Sequence, residues 1–367
     1  MKVLFYEWCS SGGLSSPDAT GLIPEADAAG ELAGMVREGR SMLEALVADA
    51  ARCNTLQITV LVDAAHPLET PAGVAVRTVS PGAEVDLLGE ESRRADATLI
   101  VAPETNGILE RRVAVARRGG GRAVASGTRF IAVAADKQAT IDALAAAGVP
   151  VPAGRSLAPG ECWPRGFCLP AVRKARAGVG CDQLLIVPSV EGLPSPAPQA
   201  TRLEVFVAGT PVGVSCLCGP RGIHVLPPML QLFSPGPQPE YQGGKLLRDA
   251  GLVARAERLA RRSIAAVSGG GFSAAASPLT ESAALGWVGV DMILGAGDDG
   301  RGDRVLEVNP RLTTSFVGLA ALFDQGLTRM LLAVADGRAA DIVSAAVAAR
   351  LVEFDTTGGV RVTDGSA

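Results

Sequence analysis

The chain has 367 residues, of which 48% are apolar and 20% charged, a composition that supports packed cores and excludes a disordered chain. Its net charge of −4, without a basic block, excludes an electrostatic surface for nucleic acid. Seven scattered cysteines and two histidines predict free thiols rather than a zinc site or a disulfide framework. Because no signal-peptide or membrane-spanning pattern is present, we expect a cytoplasmic protein that acts on no membrane.

The first third of the chain alternates strand and helix patterns. Apolar runs predict strands over Lys2–Tyr6, Gln57–Asp63 and Ala97–Ala102. Periodic apolar residues predict helices over Gly30–Arg52 and Gly107–Arg118. This alternation predicts a parallel, doubly wound α/β sheet whose functional site lies at the carboxyl ends of its strands.

Two acids and a glycine loop follow strand ends in this region. Glu7 and Glu104 each come just after a predicted strand, and Gly12 and Gly13 follow Glu7. We predict a substrate site in which the glycines allow close approach to the backbone and Glu7 binds a cationic amine. The alternative is a tight structural turn with Glu7 in a local ion pair. The loop lacks the spacing of a dinucleotide site, which disfavours an oxidoreductase.

The middle of the chain predicts a second unit. A helix is expected over Asp136–Gly148, with an acid at its start as the N-cap. Strands follow over Pro170–Lys174 and Gln183–Val187, and Leu203–Val207 is expected to pair with Pro211–Leu217 across a short turn.

The last part of the chain begins with a long Pro- and Gly-rich segment, 227–244, which predicts a loop. We take this loop as a candidate lid and Tyr241 as a candidate substrate contact; a mobile surface loop is the alternative. Helices are predicted over Gly251–Val267, Val317–Asp336 and Ala339–Ala349. The apolar helices near the C-terminus permit a homodimer.

The sharpest chemical signal is a predicted hairpin of the strands GWVGVDMIL and RVLEVN, joined by a polar glycine-rich loop. A symmetric register places Asp291 opposite Glu307 and Leu294 opposite Arg304. Asn309 shares a face with Glu307, since side chains alternate along a strand.

Facing carboxylates repel each other unless a cation lies between them. Asp291, Glu307 and Asn309 offer three hard oxygen donors, which suit Mg²⁺. Arg311 follows closely and is placed to neutralise a phosphoryl group. The alternative is a pair of solvated acids on an outer face.

Two lysines complete the pattern. Lys137 opens a helix, and Lys174 ends a strand before a loop with Gly178 and Gly180 whose backbone N–H groups are suited to phosphate. Taken singly, each lysine has the alternative of lying on the surface.

The order of these parts resembles the ATP-grasp superfamily of carboxylate–amine ligases. The resemblance lies in ADKQATIDALAAAGVPVP, VRKARAGVGCD, TRLEVFVAG and GWVGVDMIL…VLEVNPRLTTSFVGL, roughly residues 128–320. The opening stretch, GVGCD and NPRLTTSF are most similar to tyramine–glutamate ligases of methanofuran biosynthesis and their relatives in methylotrophic bacteria.

The resemblance implies an ATP-grasp fold with three parts. A Rossmann-like (pre-ATP-grasp) substrate domain would span 1–127, and two α+β subdomains, 128–204 and 205–367, would clamp ATP, with the Mg²⁺ and ATP site in the last.

The resemblance also implies roles for single residues. Lys137 and Lys174 would contact the ATP phosphates, with Lys174 also catalytic. Glu204 and the backbone as far as Val207 would meet the adenine. Arg311 would face the acyl phosphate as a catalytic residue.

The hairpin set Asp291, Glu307 and Asn309 would hold Mg²⁺, with Mn²⁺ as an alternative metal. Two departures from the family pattern occur: Pro211 stands near the place of an acid that holds the ribose, and Ala175 replaces a proline after the second lysine.

The implied reaction is ATP-dependent amide formation through an acyl phosphate, joining glutamate to tyramine or tyrosine as small-molecule carboxylate and amine substrates. One alternative is an amino-acid or peptide ligase of another pathway. A second is a nucleotide-binding protein without turnover, although such a protein need not keep facing acids.

Overall fold

A computed structural model of the chain describes residues 1–20, 28–178, 184–189, 196–197, 199–269, 281–338 and 350–364, and the side chains of 28–31 are left aside. The predicted helix Ala339–Ala349 and the loop residue Gly180 lie outside the described residues. In the part of the chain that is described, three sheets form, and no helix is both long and apolar enough to cross a membrane.

The N-terminal sheet has four parallel strands in the order β3-β2-β1-β4, which confirms the predicted α/β arrangement. Its strands come from continuous apolar runs, because helices cover both faces of a parallel sheet and the side chains on both faces are buried. The elements are β1 (Lys2–Glu7), α1 (Ala28–Ala51), β2 (Gln57–Asp63), β3 (Ala75–Val79), α2 (Glu84–Arg94), β4 (Ala97–Val101) and α3 (Ile108–Arg117).

Two helices, α4 (Thr128–Ala135) and α5 (Lys137–Ala146), connect this sheet to a small antiparallel sheet. The predicted N-cap is confirmed, because the Asp136 carboxylate accepts from the backbone N–H groups of Gln138 and Ala139. Both helices pack against the large C-terminal sheet and its helix. The small sheet has the order β5-β8-β6-β7, with β5 (Gly154–Leu157), β6 (Ala171–Ala175), β7 (Leu185–Val187) and β8 (Thr201–Val205).

The third sheet has eight strands in the order β14-β13-β9-β11-β12-β15-β16, with β10 also paired to β9. Its strands are β9 (Thr210–Gly219), β10 (Gly222–Val225), β11 (Met229–Phe233), β12 (Tyr241–Leu246), β13 (Gly286–Leu294), β14 (Arg304–Asn309), β15 (Arg350–Asp355) and β16 (Val360–Asp364). Its helices are α6 (Ala250–Val267), α7 (Ser315–Ala320) and α8 (Leu327–Ala335).

The prediction of a loop over 227–244 is wrong, since most of this segment forms the hairpin β11–β12 inside the large sheet. Pro235, Gly236, Pro237 and Pro239 lie in the turn that connects the strands, and Pro227 and Pro228 precede β11. The strands themselves pair with β9 and β15. Because proline and glycine were considered over the whole segment, the two short strands on either side of this turn were not predicted.

The expected pairing of β8 with β9 is also wrong. β8 lies in the small sheet between β5 and β6, whereas β9 pairs with β13 from Thr210 to Cys218 in the large sheet. The buried partner strand of β9 lies far away in sequence, and its apolar contacts outweigh the local hairpin.

The helix predicted over Val317–Asp336 is divided into α7 and α8. Gly326, with φ of 84°, precedes α8 in a conformation that glycine adopts without strain. The hairpin β15–β16 was not predicted at all.

The N-terminal sheet and the C-terminal helices share one apolar core. Leu43 and Leu46 of α1 belong to the same buried cluster as Phe316 and Leu331. Asp49 fixes this junction, because its carboxylate accepts from the backbone N–H groups of Leu327 (3.2 Å) and Thr328 (2.6 Å) at the start of α8.

We predict that Asp49→Ala lowers the free energy of unfolding by about 3 kcal/mol, because two N–H groups at a buried helix start lose a charged acceptor. Urea denaturation followed by circular dichroism measures this change. Asp324→Ala, which removes an exposed partner of Arg350, is the control and should leave the midpoint unchanged. The same denaturation midpoint in the unmodified protein and in both variants would contradict the role of Asp49.

Candidate active site

The acid hairpin forms as predicted at its centre. Asp291 faces Glu307, and Gly289 faces Asn309. The Asn309 Nδ2 donates to Asp291 Oδ2 at 2.8 Å, so these side chains share one face. Because a carboxylate only accepts, Asn309 turns its nitrogen toward Asp291, and none of the described residues donates a hydrogen bond to its oxygen.

The expected pairing of Leu294 with Arg304 is wrong, because the register shifts between Asp291 and Met292 and Arg304 faces Ile293 instead. The shift leaves Leu306 as an extra residue, which is a β-bulge. The Leu306 carbonyl accepts from Lys174 Nζ at 3.4 Å, so the bulge connects the hairpin to the small sheet.

The Asp291 carboxylate is held from both sides. Gln231 on β11 donates its Nε2 to Oδ1 at 2.8 Å, opposite the bond from Asn309. Burial, followed by the charge of Glu307, raises the pKa of Asp291 to about 6, against the two amide hydrogen bonds and the charge of Arg311. Burial and the facing Glu307 therefore disfavour the charged form of Asp291 in the absence of a further cation.

The donor set fits a hard divalent cation. Two carboxylates and the Asn309 oxygen converge on one face, and the described residues contain no group of three His, Cys, Asp or Glu that would hold a metal instead. Lys137 Nζ, 3.2 Å from Glu307 Oε1, supplies part of the missing positive charge. Oxygen donors of this kind with a partly open coordination sphere are typical of Mg²⁺.

The two lysines approach the hairpin from different elements. Lys137 at the start of α5 is 5% exposed and donates to the carbonyl of Gly178 at 2.8 Å. Lys174 at the end of β6 is 7% exposed and lies 2.9 Å from Glu204 Oε2. The structure therefore brings both lysines, Gly178 and the acid hairpin together.

Glu204 is fully engaged inside the small sheet. It is 3% exposed, and its Oε1 accepts from Arg202 Nε at 2.6 Å while Oε2 pairs with Lys174. Arg202 was not predicted, although its place two residues before Glu204 on the same strand face was a usable signal. Val207 lies partly buried in the segment that joins β8 to β9.

Arg311 reaches toward the N-terminal sheet. Its Nε lies 3.0 Å from both carboxylate oxygens of Glu104, which follows β4. Burial lowers the pKa of Arg311, but Glu104, followed by Glu307 and Glu38, raises it, and the net pKa lies above the usual value. A predicted catalytic residue and a predicted substrate residue are therefore in contact.

Glu38 on α1 is a site residue that the sequence did not indicate. Its Oε2 accepts from the Thr314 hydroxyl at 3.1 Å, three residues after Arg311. Burial raises the pKa of Glu38, against the hydrogen bond from Thr314 and the charges of Arg311 and Arg37. A half-buried acid in a long polar-faced helix has no sequence pattern that separates it from surface acids.

The opening loop folds back on its own acid. The Glu7 carboxylate accepts from the backbone N–H groups of Cys9 (3.1 Å) and Ser10 (2.8 Å), and burial raises its pKa. Gly39 of α1 lies against the same carboxylate, where a Cβ would be 2.5 Å from Oε1. These contacts match the tight turn of the structural alternative but not its ion pair, since no described cation pairs with Glu7. A role of Glu7 toward an amine stays a prediction.

The two loop glycines are required by neighbouring side chains. Gly13 lies under the Trp8 indole, where a Cβ would be 2.2 Å from Nε1. Gly12 has φ of 86° and lies beside Val79. Their close approaches are to the protein itself.

Tyr241 lies at the start of β12 rather than in a lid. Its ring packs on Phe233 with centroids 5.7 Å apart, next to the turn that joins the two strands. The backbone of that turn contacts the small sheet, because Ile186 N donates to the Pro237 carbonyl at 2.7 Å.

Two family models match most of the chain. The model described as an ATP-grasp domain matches residues 134–315, and the one described as a pre ATP-grasp 3 domain matches residues 56–131. No curated protein matches the sequence.

Solved structures share the fold at low sequence identity. An ATP-grasp superfamily protein from Archaeoglobus fulgidus is 19% identical over 100% of both chains, with a TM-score of 0.66. The L-amino acid ligase from Bacillus licheniformis is 13% identical over 96% of this chain and 78% of its own, with a TM-score of 0.65. The N5-carboxyaminoimidazole ribonucleotide synthetase from Thermotoga maritima is 15% identical over 96% of this chain and 79% of its own, with a TM-score of 0.60.

We predict that Gln231→Leu weakens Mn²⁺ binding about 10- to 100-fold, because Asp291 Oδ1 loses the amide that orients it. Titration calorimetry with Mn²⁺ in the presence of ADP measures the affinity. Gln57→Leu, at the exposed start of β2, is the control and should bind as the unmodified protein does. Unchanged affinity in Gln231→Leu would show that Asp291 needs no such support.

Proposed function

Because the chain belongs to the ATP-grasp superfamily, we propose that it is an ATP- and Mg²⁺-dependent ligase that joins a carboxylate to an amine through an acyl phosphate. The observation that supports this proposal is the convergence of two buried lysines and a partly buried arginine on the acid hairpin and its neighbouring acids. Lys137, Lys174 and Arg311 are cations, and each of them contacts an acid of the site.

The cations are suited to the phosphates of ATP. Lys137 and Lys174 would exchange their present partners, Glu307 and Glu204, for phosphate oxygens. Gly178 begins the loop that we assign to the phosphates, together with Gly180. The segment from Glu204 to Val207 leads from the small sheet to the large one and is our candidate for the adenine.

Asp291, Glu307 and Asn309 would hold Mg²⁺. When bound, the ion supplies positive charge that neutralises the phosphate oxygens of ATP. The fit rests on the facing acids and on the amide oxygen that Asn309 leaves free.

The chemistry requires positioning and charge neutralisation rather than a protein nucleophile. A substrate carboxylate attacks the γ-phosphorus of ATP, and ADP leaves with the electron pair of the broken P–O bond. Arg311 binds the acyl phosphate formed in this step, while Lys174 stabilises charge on the transferred group. An amine then attacks the acyl carbon, and phosphate leaves.

The N-terminal sheet would provide the substrate side of the cleft. Glu104 already holds Arg311, and Glu7 and Glu104 both follow strand ends at the edge of the sheet, where ligands bind in such folds. We also assign Gly12 and Gly13 of the opening loop, and Tyr241 of β12 in the large sheet, to substrate contact.

For the substrates, we propose glutamate as the acid and tyramine or tyrosine as the amine, in one-carbon cofactor biosynthesis of the methanofuran type. The support is the sequence resemblance of the opening stretch and NPRLTTSF. An L-amino acid ligase shares the fold, so another amino acid or peptide is the competing choice. A panel of acids and amines, read by ADP release, separates them.

We predict that Glu307→Ala combined with Asn309→Ala reduces Mg²⁺-dependent ADP release about 100-fold or more, because the site loses two of its three oxygen donors. A coupled assay for ADP, run with the best acid and amine of the panel, measures the rate. Circular dichroism checks that the fold is retained.

The matched control is Asp299→Ala, which removes an exposed acid from the loop of the same hairpin and should leave the rate unchanged. Full activity in the double variant would refute the metal assignment. Nucleotide binding without ADP release for any substrate pair would favour a non-catalytic nucleotide-binding protein.

A further inference from the structure

Amide formation requires that the amine substrate lose a proton before it attacks the acyl carbon. Alkyl amines are protonated at neutral pH, since their pKa lies near ~10, as for lysine. A protonated amine has no lone pair for attack on the acyl carbon. The site therefore needs a proton acceptor on the side of the cleft where the amine meets Arg311 and the acyl phosphate.

Three acids of the N-terminal domain are candidates for this acceptor. Glu104 accepts a hydrogen bond from Arg311 Nε through Oε2, and its Oε1 lies 3.0 Å from the same nitrogen, so the carboxylate is committed to the arginine. Glu7 uses both of its oxygens for backbone N–H groups of its own loop. Each of these two carboxylates is therefore already paired, Glu104 with a cation and Glu7 with two backbone donors.

Glu38 differs from both in its contacts. Its Oε2 accepts one hydrogen bond, from the neutral Thr314 hydroxyl, and Oε1 accepts none from the described residues. No described cation comes within 4.0 Å of this carboxylate. The charged groups that face it from farther away are Arg37 on its own helix and Arg311 from the segment before α7.

The position of Glu38 also suits the task. Thr314 ends the short segment that begins with Arg311, so Glu38 approaches this segment from the side of α1, whereas the candidate metal ligands lie on β13 and β14. Burial holds its pKa above the usual value of a glutamate, which makes it a stronger proton acceptor than a surface acid.

We propose that Glu38 is the general base that deprotonates the amine substrate in the second half-reaction, an inference that rests on the proposed ligase function. The Glu38 carboxylate takes one proton from R–NH₃⁺, leaving R–NH₂. The nitrogen lone pair forms the C–N bond, and the C–O bond to phosphate breaks with its electron pair on the phosphate. The second nitrogen proton leaves to the departing phosphate, and Glu38 returns its own proton to water.

The test compares two amines in Glu38→Gln. With an alkyl amine such as tyramine, we expect the rate of amide formation to fall about 100-fold. With hydroxylamine, which is neutral near pH 7 and needs no base, we expect the hydroxamate to form at the rate of the unmodified protein. Both rates are measured after acyl phosphate formation has been confirmed by ADP release.

A pH series gives a second reading. A general base must be ionised, so the rate of the unmodified protein with tyramine falls as pH falls through the pKa of Glu38. The Gln variant depends only on neutral amine from solution, and its deficit should shrink as pH rises toward the pKa of the amine. A purely structural role would give a deficit that is independent of pH and equal for both amines.

Two further variants keep the test decisive. Glu38→Asp retains a carboxylate and should keep much of the tyramine rate even if Glu38→Gln folds poorly. Glu44→Gln removes an exposed acid from the same helix and should leave the rate unchanged with both amines.

Equal losses with tyramine and hydroxylamine, or no loss with tyramine, would overturn the role of Glu38 and leave the ligase function intact. Absence of ADP release for every substrate pair in the unmodified protein would overturn both proposals.

Discussion

The site depends on two carboxylates that face each other across a hairpin. Asp291 and Glu307 form a directly opposed pair on β13 and β14, an arrangement that is unfavourable without nearby positive charge. The protein supplies part of that charge with Lys137 and holds Asp291 between the amides of Gln231 and Asn309. The remaining demand for a cation is the reason for which we propose that a metal and a phosphate bind at this face.

Contacts of the neighbouring cations link the hairpin to the other two sheets. The bulge at Leu306 turns a carbonyl toward Lys174, which links the small sheet to the hairpin. Arg311, just past β14, binds Glu104 and so links the hairpin to the N-terminal sheet. Because every one of these cations has an acid partner, binding a nucleotide exchanges ion pairs within the cleft instead of creating new buried charge, which limits the cost of desolvation.

Much of the fold was predictable, and the ATP-grasp fold expected from the motifs is confirmed. The parallel N-terminal strands follow from apolar runs, and the strands of the acid hairpin were predicted with their observed bounds. The errors lie where local composition and long-range pairing disagree. The segment 227–244 reads as a loop by its prolines, yet its two short strands gain partners in a sheet assembled from distant residues.

The sequence by itself indicated the lysines, the arginine and the hairpin acids as candidates, and it predicted the opposition of Asp291 and Glu307 from the period of two along each strand. It did not indicate Glu38 or Arg202. Only the tertiary structure decided which groups are already occupied. Glu7 is bound by its own loop and Glu104 by Arg311, whereas among the described residues a single neutral donor binds the Glu38 carboxylate. These differences arise from contacts between elements far apart in the chain, and the spacing of residues along a sequence carries no information about them.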